Sequence, residues 1–461
     1  EISMIRNKKD DGKDCSKEEM KILESKRIIL EEKEKIKKEK KKIHTKKMDK
    51  FKKTKFGQFL GKFIYIFSDE KNSYSFSEVF VITIVSLVLG AFACFSVFMI
   101  ITGGRNYFKI SKELNKFVDV YELIRENYNG DFSSDKLVDN AISGMVSGVG
   151  DVYTSYSDSE DADTFDELVS GIYKGIGCTI QQVDEKIKVI DIYKDSPSEK
   201  AGLKVGDYLK SVDGKDAVTE GVTKLSEYIK YQVKDKISVI VLRDDKEVSL
   251  EIKKEKIETP VVSSRIHTVQ EKKVGYIKIS LFTSVATKQF KVELDKLEDE
   301  GIESLIIDVR DNGGGYLTTV TDILNMLLPK GSKIYQIQKD DNKKVYKDKT
   351  SQKREYPIAV LADGNSASAS EILVGAIKES YGGYIVGEKT FGKGTVQQVK
   401  KLKDGSMIKY TVENWLTPNG NWINNVGIEP TDKFSLDEEY YKNPIEENDN
   451  QLEKALELVI K

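Results

Sequence analysis

Hydrophobic residues are concentrated in one long run in the first quarter of the chain. Positions 79–101 read VFVITIVSLVLGAFACFSVFMII, an uncharged run of 23 residues. As a helix this run would be about 34 Å long, enough to cross the hydrocarbon core of a bilayer. We expect one transmembrane helix; the alternative is a buried helix of a soluble domain, but such helices seldom lack a polar face. Its length and the long basic segment before it argue against a cleaved signal peptide.

Beyond this run, the spacing of apolar residues first indicates helices and then strands. Helical spacing at 110–128 and 136–149 predicts a helical stalk or lid within 105–165. After a polar stretch at 151–166, residues 166–256 predict a β-rich domain with one helix at 223–231. Its predicted strands are 177–183, 187–192, 208–212, 237–242 and 248–252.

Strands and helices alternate from 257 to 434, which is typical of an α/β layer. The predicted strands are 274–279, 305–309, 358–362, 384–386, 395–399 and 407–415, and the predicted helices are 288–300, 319–328 and 369–379. A tail, 435–461, contains an amphipathic stretch at 451–460. The chain as a whole is therefore expected to be a multi-domain α/β protein behind one N-terminal transmembrane helix.

The charge distribution gives this arrangement an orientation. The formal net charge of −2 divides into +8 for residues 1–78 and −10 for the remainder. By the positive-inside rule, the Lys-rich segment 1–78 is expected in the cytoplasm, and residues from about 105 onward outside the cell membrane. Residues 46–55 can also contact an anionic lipid surface, but such a run is more often a solvated face. We expect no nucleic-acid partner.

Cysteine and histidine are too scarce for several kinds of site. The three cysteines, Cys15, Cys94 and Cys178, lie too far apart in the chain to predict a disulfide framework or a zinc knuckle. The two histidines, His44 and His267, cannot supply a multi-histidine metal site. We therefore expect neither a metal nor another cofactor. A Ser-His-Asp triad would depend on His267 alone, so a hydrolase of this composition is expected to use another general base.

A glycine-rich segment opens the β-rich domain. In Gly175-Ile176-Gly177, small residues let consecutive backbone N–H groups converge on a peptide's terminal carboxylate, and the strand that begins near Cys178 can accept that peptide as an added strand. Glycines at this spacing alone more often form only a turn. The segments GIYKGIGCTI (171–180) and SPSEKAGLKVGDYLKSVDGK (196–215) together resemble a PDZ domain. This resemblance implies a site that binds the C-terminal ends of proteins.

Two strand-to-helix turns carry candidate chemistry in the α/β layer. They are Asn-Gly-Gly-Gly at 312–315 and Asn-Ser-Ala-Ser-Ala-Ser-Glu at 365–371. Such turns lie at the carboxyl ends of strands, where open α/β sheets bind ligands. Ser368 would expose its oxygen at the head of a helix, and the N–H of Ala369 would point to where an oxyanion forms. A helix N-cap with small-residue packing is the alternative.

The segment GEKTFGKGTVQQV (387–399) supplies a base that is not histidine. On an extended strand, Lys393, Thr395 and Gln397 share one face. A lysine packed among small and apolar residues has a lowered pKa, because burial disfavours the ammonium form. A neutral Lys393 can then take the proton of Ser368. Gln397 can hold the amine toward that serine, as aspartate orients histidine in a triad.

Ordered motifs along the outer part of the chain resemble those of the carboxyl-terminal processing peptidases, also called tail-specific proteases. Besides the PDZ segments, the motifs are DVYTSYSD (151–158), DVRDNGGG (308–315), NSASASEI (365–372), GEKTFGKGTVQ (387–397) and WLTPNGNWINNVGIEPT (415–431). The resemblance runs from about 112 to the end. It implies an exported or membrane-anchored serine protease with Ser368 as nucleophile, Lys393 as general base and Gln397 as its orienting partner.

The same resemblance implies further features of the site and of the molecule. The oxyanion hole would use the N–H groups of Ala369 and of Gly313 or Gly314, and we prefer Gly314. Protein substrates with exposed C-termini are the implied partners. Homodimers would form through the N-terminal helices and the C-terminal tail, where 451–460 is amphipathic enough to join an interface.

One position departs from the family pattern. Many relatives carry an Arg-Gly step after the PDZ helix, thought to couple peptide binding to the alignment of the catalytic residues. Residues 231–236 here read YQVKDK, without arginine. A PDZ-gated switch in this chain is therefore either missing or uses Lys234 or Lys236.

Two other classes of protein compete with the protease. GEKTFGK nearly matches a phosphate-binding P-loop, but Gly394 replaces the residue that would hold magnesium, and a strand pattern follows where a P-loop opens a helix. A catalytically silent PDZ adaptor at the membrane surface is the second competitor. The serine, lysine and glutamine at the matching positions argue against it.

Overall fold

The computed structural model of the protein describes most of the chain beyond residue 75. Described are residues 76–101, 107–231, 234–350 and 354–461, preceded by 32, 33, 35–42, 45, 46, 53, 54 and 58. The predicted cytoplasmic segment, 1–78, thus lies mostly outside the described residues. The chain divides into two compact units, Glu1–Gly130 and Asp131–Lys461.

Among the residues described beyond 75, the first unit contains two long helices, α1 (Phe76–Ile101) and α2 (Tyr107–Asn127). Both fall where apolar spacing predicts helices. Within α1, Glu78–Ile100 is long and apolar enough to cross a membrane, and its side chains are not buried. This exposure argues against the alternative of a core helix in a soluble domain, because a helix that is apolar all round is buried there.

The second unit begins with helix α3 (Ser134–Ser147), strand β1 (Ser155–Ser157) and helix α4 (Ser159–Ser170). Helix α3 was predicted, whereas β1 and α4 lie in the polar stretch to which the pattern assigns no element. The Asp158 side chain accepts hydrogen bonds from N–H groups in the first turn of α4, and Gly171, with φ of 71°, ends the helix. The cap residues and the helical spacing of Ala162, Phe165 and Val169 both signal this helix, although most of its residues are polar.

The next domain is an antiparallel sheet packed against a helix. Its elements are β2 (Ile172–Gly175), β3 (Cys178–Val183), β4 (Lys186–Ile192), α5 (Pro197–Lys200), β5 (Tyr208–Val212), β6 (Lys215–Asp216), α6 (Ala217–Tyr231), β7 (Lys236–Arg243), β8 (Lys246–Lys253) and β9 (Glu255–Glu258). The strand order is β3-β4-β5-β7-β8, with β6 beside β5, and β2 pairs separately with β9. Among the described strands, β3 therefore has a neighbour on one side only.

The predicted strands of this domain match the observed ones within about two residues, except that β2, β6 and β9 were not predicted. Helix α6 begins at Ala217, earlier than expected. Gly221 interrupts it with a non-helical φ of 76° and ψ of 167°, so the regular part begins near the predicted start. From that part, Leu225 and Ile229 enter the domain core with Val189 and Val241.

The third domain contains the predicted α/β layer. Its elements are β10 (Val262–Val269), β11 (Lys272–Ile279), α7 (Ala286–Asp299), β12 (Ser304–Asp308), α8 (Leu317–Leu327), β13 (Lys333–Lys339), β14 (Asn342–Lys347), β15 (Ile358–Ala362), α9 (Ala369–Ala376), β16 (Tyr384–Gly387), β17 (Thr395–Lys401), β18 (Met407–Leu416), β19 (Asp432–Lys433), α10 (Glu438–Lys442) and α11 (Asn450–Val459). The main sheet has the order β10-β11-β12-β15-β16-β19 and is parallel from β11 onward.

Helices cover both faces of this main sheet, as parallel sheets require. On one face, Leu305 and Ile307 of β12 share a core with α7, α8 and α9. On the other, Ile306 packs with Leu452 and Leu458 of α11. The apolar side of the amphipathic stretch 451–460 is thus used within the chain, which explains its pattern without a dimer interface.

A second sheet, of order β1-β18-β13-β14 with β17 also beside β18, lies in the same unit. Its hairpin β13–β14 was not predicted. Pairing of Ser157 with Met407 places β1, near the start of the unit, next to β18. Helix α9 ends before the predicted 379, because the chain continues from Ala376 as a π-helical turn, Ile377–Tyr381.

Candidate active site

Ser368 lies in the turn between β15 and α9, in a backbone conformation unusual for any residue with a side chain. Its φ is 55° and its ψ −111°. The turn is held from below, because the N–H of Ser368 donates to Oε2 of Glu371 at 2.9 Å and the N–H of Ala367 donates to the carbonyl of Asn312 at 3.1 Å. The side chain of Ser368 is half-buried, so it faces neither bulk solvent nor the closed core.

The glycine loop after β12 lies directly against this turn. A Cβ at Gly314 would come within 2.9 Å of the Cβ of Ser368 and 2.8 Å of the carbonyl of Ala367, and its φ is 110°, so only glycine fits. Its N–H is occupied, because it donates to Oδ1 of Asn312 at 2.9 Å. Among the described residues, the N–H groups of Gly313 and Ala369 have no hydrogen-bond partner. This geometry favours Gly313 over the expected Gly314 as the second oxyanion donor.

Lys393 lies in the loop before β17 with its amine largely shielded from water. The backbone N–H of Lys393 donates to Oε2 of Glu371 at 2.9 Å, and its backbone carbonyl accepts from Nε1 of Trp415 at 2.7 Å. Nζ lies 4.9 Å from the ring centroid of Tyr153, and within the part of the chain that is described it makes no hydrogen bond or ion pair. Burial, and then the positive charge of Lys409, lower the pKa of Lys393, while Glu371 and Asp151 oppose this shift.

Glu371 joins the two candidate catalytic segments. Besides accepting from the N–H groups of Ser368 and Lys393 through Oε2, it accepts through Oε1 from Thr390 Oγ1 and from the N–H of Gly392, both at 2.7 Å. Burial raises the pKa of this carboxyl, although all four hydrogen bonds act in the opposite direction. Sequence reasoning gave Glu371 no role. The Ser-x-x-Glu spacing at a helix start was the available signal.

Gln397 does not pair with Lys393. Its Nε2 donates to Oγ1 of Thr395 at 2.9 Å and to Oγ1 of Thr411 on β18 at 3.2 Å, and no hydrogen bond joins it to the lysine in this conformation. Thr395 and Gln397 do share a face, as predicted. The prediction that Lys393 lies on the same strand face is wrong, because β17 begins only at Thr395. The pairing of β17 with β18 also shifts register between Val396 and Gln397.

A turn from the start of the unit completes the surroundings of these residues. The Asp151 carboxylate accepts from Oγ1 of Thr411 and Oγ1 of Thr154, both at 2.6 Å. Two positions on, Tyr153 places its ring beside the amine of Lys393. The motif DVYTSYSD (151–158), which contains both residues, was recognised only through the family resemblance. Contacts across more than 200 positions of the chain give no local signal.

The PDZ-like domain carries a cavity of about 220 Å³ between β3 and α6. Gly175, Ile176, Cys178 and Ile229 are among its lining residues. Gly177 forms the turn instead: its φ is 77°, and an added Cβ would come within 2.5 Å of Ser196. Within the described chain, the N–H groups of Ile176 and Gly177 have no partner. Burial raises the pKa of the Cys178 thiol to about 11, so this thiol stays protonated and unreactive.

The ion pair between the end of α6 and α4 is made by Lys230, and not by Lys234 or Lys236, the two lysines expected to replace the missing arginine. Lys230, which also lines the cavity, forms an ion pair with Glu167 of α4. Lys236 pairs with Glu251 inside its own domain. Lys234 is exposed and has no ion pair among the described residues.

Helix α4 also contacts the strand that follows Lys393. Lys401, the last residue of β17, forms ion pairs with Asp166 and, at 3.2 Å, with Asp163 of α4. On the PDZ side, Oγ1 of Thr164 lies 3.3 Å from the hydroxyl of Tyr231. One short helix thus contacts both the helix beside the cavity and the strand that carries Gln397.

Two rival assignments have no structural support. The P-loop-like segment is followed by strand β17, as argued above, and not by a helix. His267 lies on β10, where its Nδ1 is 3.2 Å from Oε1 of Glu446, so its partner belongs to the C-terminal segment.

Comparison with known proteins decides the family. Residues 273–434 match the model of Peptidase family S41, residues 175–253 that of a PDZ domain, and residues 100–161 that of the Activating protease CtpB N-terminal domain. The chain is 40% identical over 323 residues to the carboxy-terminal processing protease CtpB of Bacillus subtilis, covering 69% of this chain and 67% of that protein. The chain belongs to peptidase family S41.

Two other relatives of this S41 peptidase have the same character. The carboxy-terminal processing protease CtpA of Bacillus subtilis is 35% identical over 337 residues, covering 73% of this chain and 70% of that protein. A probable CtpA-like serine protease of Staphylococcus epidermidis is 34% identical over 340 residues, covering 73% and 68%. The resemblance in the sequence motifs is thereby confirmed, and the S41 peptidase is a serine-type, C-terminal processing enzyme with a PDZ domain.

Proposed function

We propose that this S41 peptidase cleaves protein substrates with Ser368 as nucleophile and Lys393 as general base. The carboxylate of Glu371 carries the argument, because one oxygen binds the backbone N–H groups of both residues and so fixes their spacing. The lysine amine is shielded, has a lowered pKa and has no competing hydrogen bond among the described residues. These are the properties that a lysine base needs.

The reaction follows from these roles. Oγ of Ser368 attacks the scissile carbonyl carbon while its proton passes to Nζ of Lys393. The oxyanion forms against the N–H groups of Ala369 and Gly313, which donate to no other group among the described residues. As the C–N bond breaks, Lys393 gives the proton to the leaving amine. A water molecule, deprotonated by Lys393, then hydrolyses the acyl-enzyme and restores the serine.

Substrate recruitment is assigned to the PDZ domain. A C-terminal carboxylate can accept hydrogen bonds from the N–H groups of Ile176 and Gly177, while the preceding residues of the substrate add a strand to the edge of β3. The adjacent cavity, lined mainly by apolar residues, takes the last side chain. Proteins with exposed, unstructured C-termini are therefore the substrate class.

Membrane anchoring is the second part of the proposal. Helix α1 crosses the cell membrane once, supported by the length and apolar character of Glu78–Ile100 and by the basic charge of residues 1–78. The Lys-rich segment then lies in the cytoplasm. The PDZ and peptidase domains lie outside, where they meet the C-termini of extracytoplasmic or membrane proteins.

A cleavage assay with the full chain in detergent tests the mechanism. A folded reporter with a disordered C-terminal tail should be cut by the wild type, whereas Ser368→Ala and Lys393→Ala should each reduce the rate by at least about 100-fold. Lys389→Ala is the matched control, since this exposed lysine of the same loop pairs with Glu429 and should be dispensable.

Proteolysis that survives either catalytic substitution would exclude the Ser-Lys mechanism. A wild type that binds tailed peptides but never cuts them would instead favour the silent adaptor.

A further inference from the structure

We propose that Asp151 is a positioning residue of the catalytic site, which acts through Thr411 to fix the orientation of the Gln397 amide. The inference rests on the proposed Ser-Lys function and assigns to that site a residue from the start of the unit. It concerns a carboxylate that touches neither the nucleophile nor the base by hydrogen bond. Its influence has to pass along a chain of polar atoms.

The geometry of that chain is continuous. Strand β1 pairs with β18, with Ser155 opposite Lys409, and this pairing holds the preceding turn against the second sheet. Oδ2 of Asp151 accepts from Oγ1 of Thr411 at 2.6 Å, and Oγ1 of Thr411 lies 3.2 Å from Nε2 of Gln397. Oδ1 accepts from the N–H of Tyr153 at 3.1 Å, so both carboxylate oxygens are fixed.

The direction of each hydrogen bond follows from the charge of Asp151. Although burial raises it, hydrogen bonds from Thr154 and Thr411 keep the pKa of Asp151 below its ordinary value, so the group is ionised and can only accept. The hydroxyl of Thr411 must then donate its one proton to Asp151 and accept from its other neighbour. That neighbour must be a donor, so Gln397 presents Nε2 to Thr411, as observed.

This polarity leaves the carbonyl end of Gln397 free for the lysine. Both hydrogen bonds of its amide use Nε2, toward Thr395 and Thr411, and Oε1 accepts none from any described residue. An acceptor is the end that an amine or ammonium group can use. A neutral side chain at position 151 that can also donate a hydrogen bond would let the Thr411 hydroxyl donate to Gln397 instead. The Gln397 amide could then rotate and present its Nε2 where Oε1 now lies. The ionised carboxylate excludes that state.

The same turn also bounds the amine directly, since Nζ of Lys393 lies 4.9 Å from the ring centroid of Tyr153. The charged groups that act on this amine are Lys409 on β18, Glu371 at the start of α9, and Asp151 itself. Lys409 favours the neutral amine, and the two carboxylates favour the ammonium form. Removing the charge of Asp151 should therefore lower the pKa of Lys393.

The test begins with Asp151→Asn in the full chain. Kcat should fall about 10- to 100-fold with little change in KM, because a misplaced catalytic group costs rate rather than binding. Asp139→Asn is the matched control: Asp139 lies in the same N-terminal segment and accepts a hydroxyl hydrogen bond from Tyr156 at 2.5 Å, but among the described residues no hydrogen bond joins it to Thr411, Gln397 or Lys393. It should keep wild-type kinetics.

A pair of variants at Thr411 separates the hydrogen bond from the fold. Thr411→Ser keeps the hydroxyl and should stay within about threefold of wild type, whereas the isosteric Thr411→Val should fall as far as Asp151→Asn. The double variant Asp151→Asn with Thr411→Val should be no slower than either single variant, because both break one chain. Equal activity of the serine and valine variants would contradict this route.

The pH profile supplies a readout that general structural damage would not move. The acidic limb of kcat reports loss of the proton from Lys393. In Asp151→Asn this limb should shift to lower pH, while Asp139→Asn leaves it in place. A lower rate with an unshifted limb would mean that Asp151 only supports the fold.

A labelling experiment decides the point without turnover. In the Ser368→Ala background, the rate at which an amine-acylating reagent modifies Lys393 is followed against pH by peptide mass spectrometry. Asp151→Asn should lower the midpoint, and an unchanged midpoint overturns the inference. If the wild type does not cleave, or cleaves as well as Ser368→Ala, the proposed function fails, while the labelling midpoints still judge Asp151.

Discussion

At the scale of single residues, the proposed nucleophile, Ser368, has a backbone conformation that is unfavourable for a residue with a side chain. The φ of 55° and ψ of −111° at Ser368 lie outside the regions open to residues with a Cβ. Such conformations cost on the order of 1–3 kcal/mol and persist where the surroundings hold them. Here Glu371 and the glycine loop supply that restraint.

This strain makes a prediction about stability. Ser368→Gly should raise the free energy of unfolding of the second unit by about 1 kcal/mol, since glycine accepts the conformation without strain but loses more entropy on folding. Ser368→Ala keeps the Cβ and should leave stability nearly unchanged. Denaturant unfolding of both inactive variants measures the difference. A glycine variant less stable than the alanine variant would show that the turn is unstrained.

The residues of the candidate site differ in how far the sequence could predict them. Ser368 and Lys393 were chosen because a serine at a tight turn and a lysine among small residues are local patterns. Gly314 was preferred over Gly313 without knowledge of Asn312, whose side chain occupies the Gly314 N–H. For Glu371 the only local signal is the Ser-x-x-Glu spacing at the helix start, whereas Asp151 acts through Thr411 on a distant strand, so no local pattern reveals it.

At the scale of elements, α4 is a helix that the pattern did not predict and that contacts both the helix beside the PDZ cavity and β17. Its Glu167 pairs with Lys230 beside the PDZ cavity, and its Asp163 and Asp166 pair with Lys401 at the end of β17. A peptide entering the cavity meets the side chain of Lys230 directly. Helix α4 is therefore placed to respond to peptide binding and to act on β17.

If an added C-terminal peptide stimulates cleavage of a short reporter substrate, we expect Lys230→Gln and Glu167→Gln each to weaken that stimulation. The two side chains are only 24% and 31% exposed, yet such a pair contributes at most about 1 kcal/mol, so the change should be about two- to fivefold. The charge-swapped double variant should recover part of it. Lys236→Gln, whose partner lies within the PDZ domain, is the control; stimulation equal to wild type in both single variants would contradict the coupling.

Low apolar content explains some of the missed elements, although not β13, in which Ile334, Tyr335 and Ile337 are buried. The strand β14 reads NKKVYK, so its apolar residues are too few to show alternation, and its pairing with β13 is instead aided by stacking of Tyr335 on Tyr346 at 4.6 Å. The buried strands β12 and β15 were found to within one residue, because a buried run needs no partner to be recognised. Apolar content, more than element type, decided which elements were predicted.

At the scale of the whole molecule, charge and one apolar helix make a prediction about topology. In cells that express a full chain with its native cysteines changed to serine, Lys403→Cys should react with a membrane-impermeant maleimide while the cells are intact. Lys38→Cys should react only after lysis. Both positions are exposed in the structure, so labelling depends only on whether the reagent reaches the side of the membrane on which the cysteine lies.

Labelling of Lys38→Cys in intact cells would reverse the orientation, and labelling of neither variant before lysis would place the peptidase inside.

The open edge of β3 has a cost as well as a use. A strand edge with unpaired N–H and C=O groups accepts a second copy of the chain as readily as a substrate tail, which is the first step of edge-to-edge aggregation. This edge is short, at six residues, includes the polar Gln181 and Gln182, and changes register between Thr179 and Ile180. These features limit how long a partner strand can stay in register, so they favour solubility at the expense of affinity for a substrate tail.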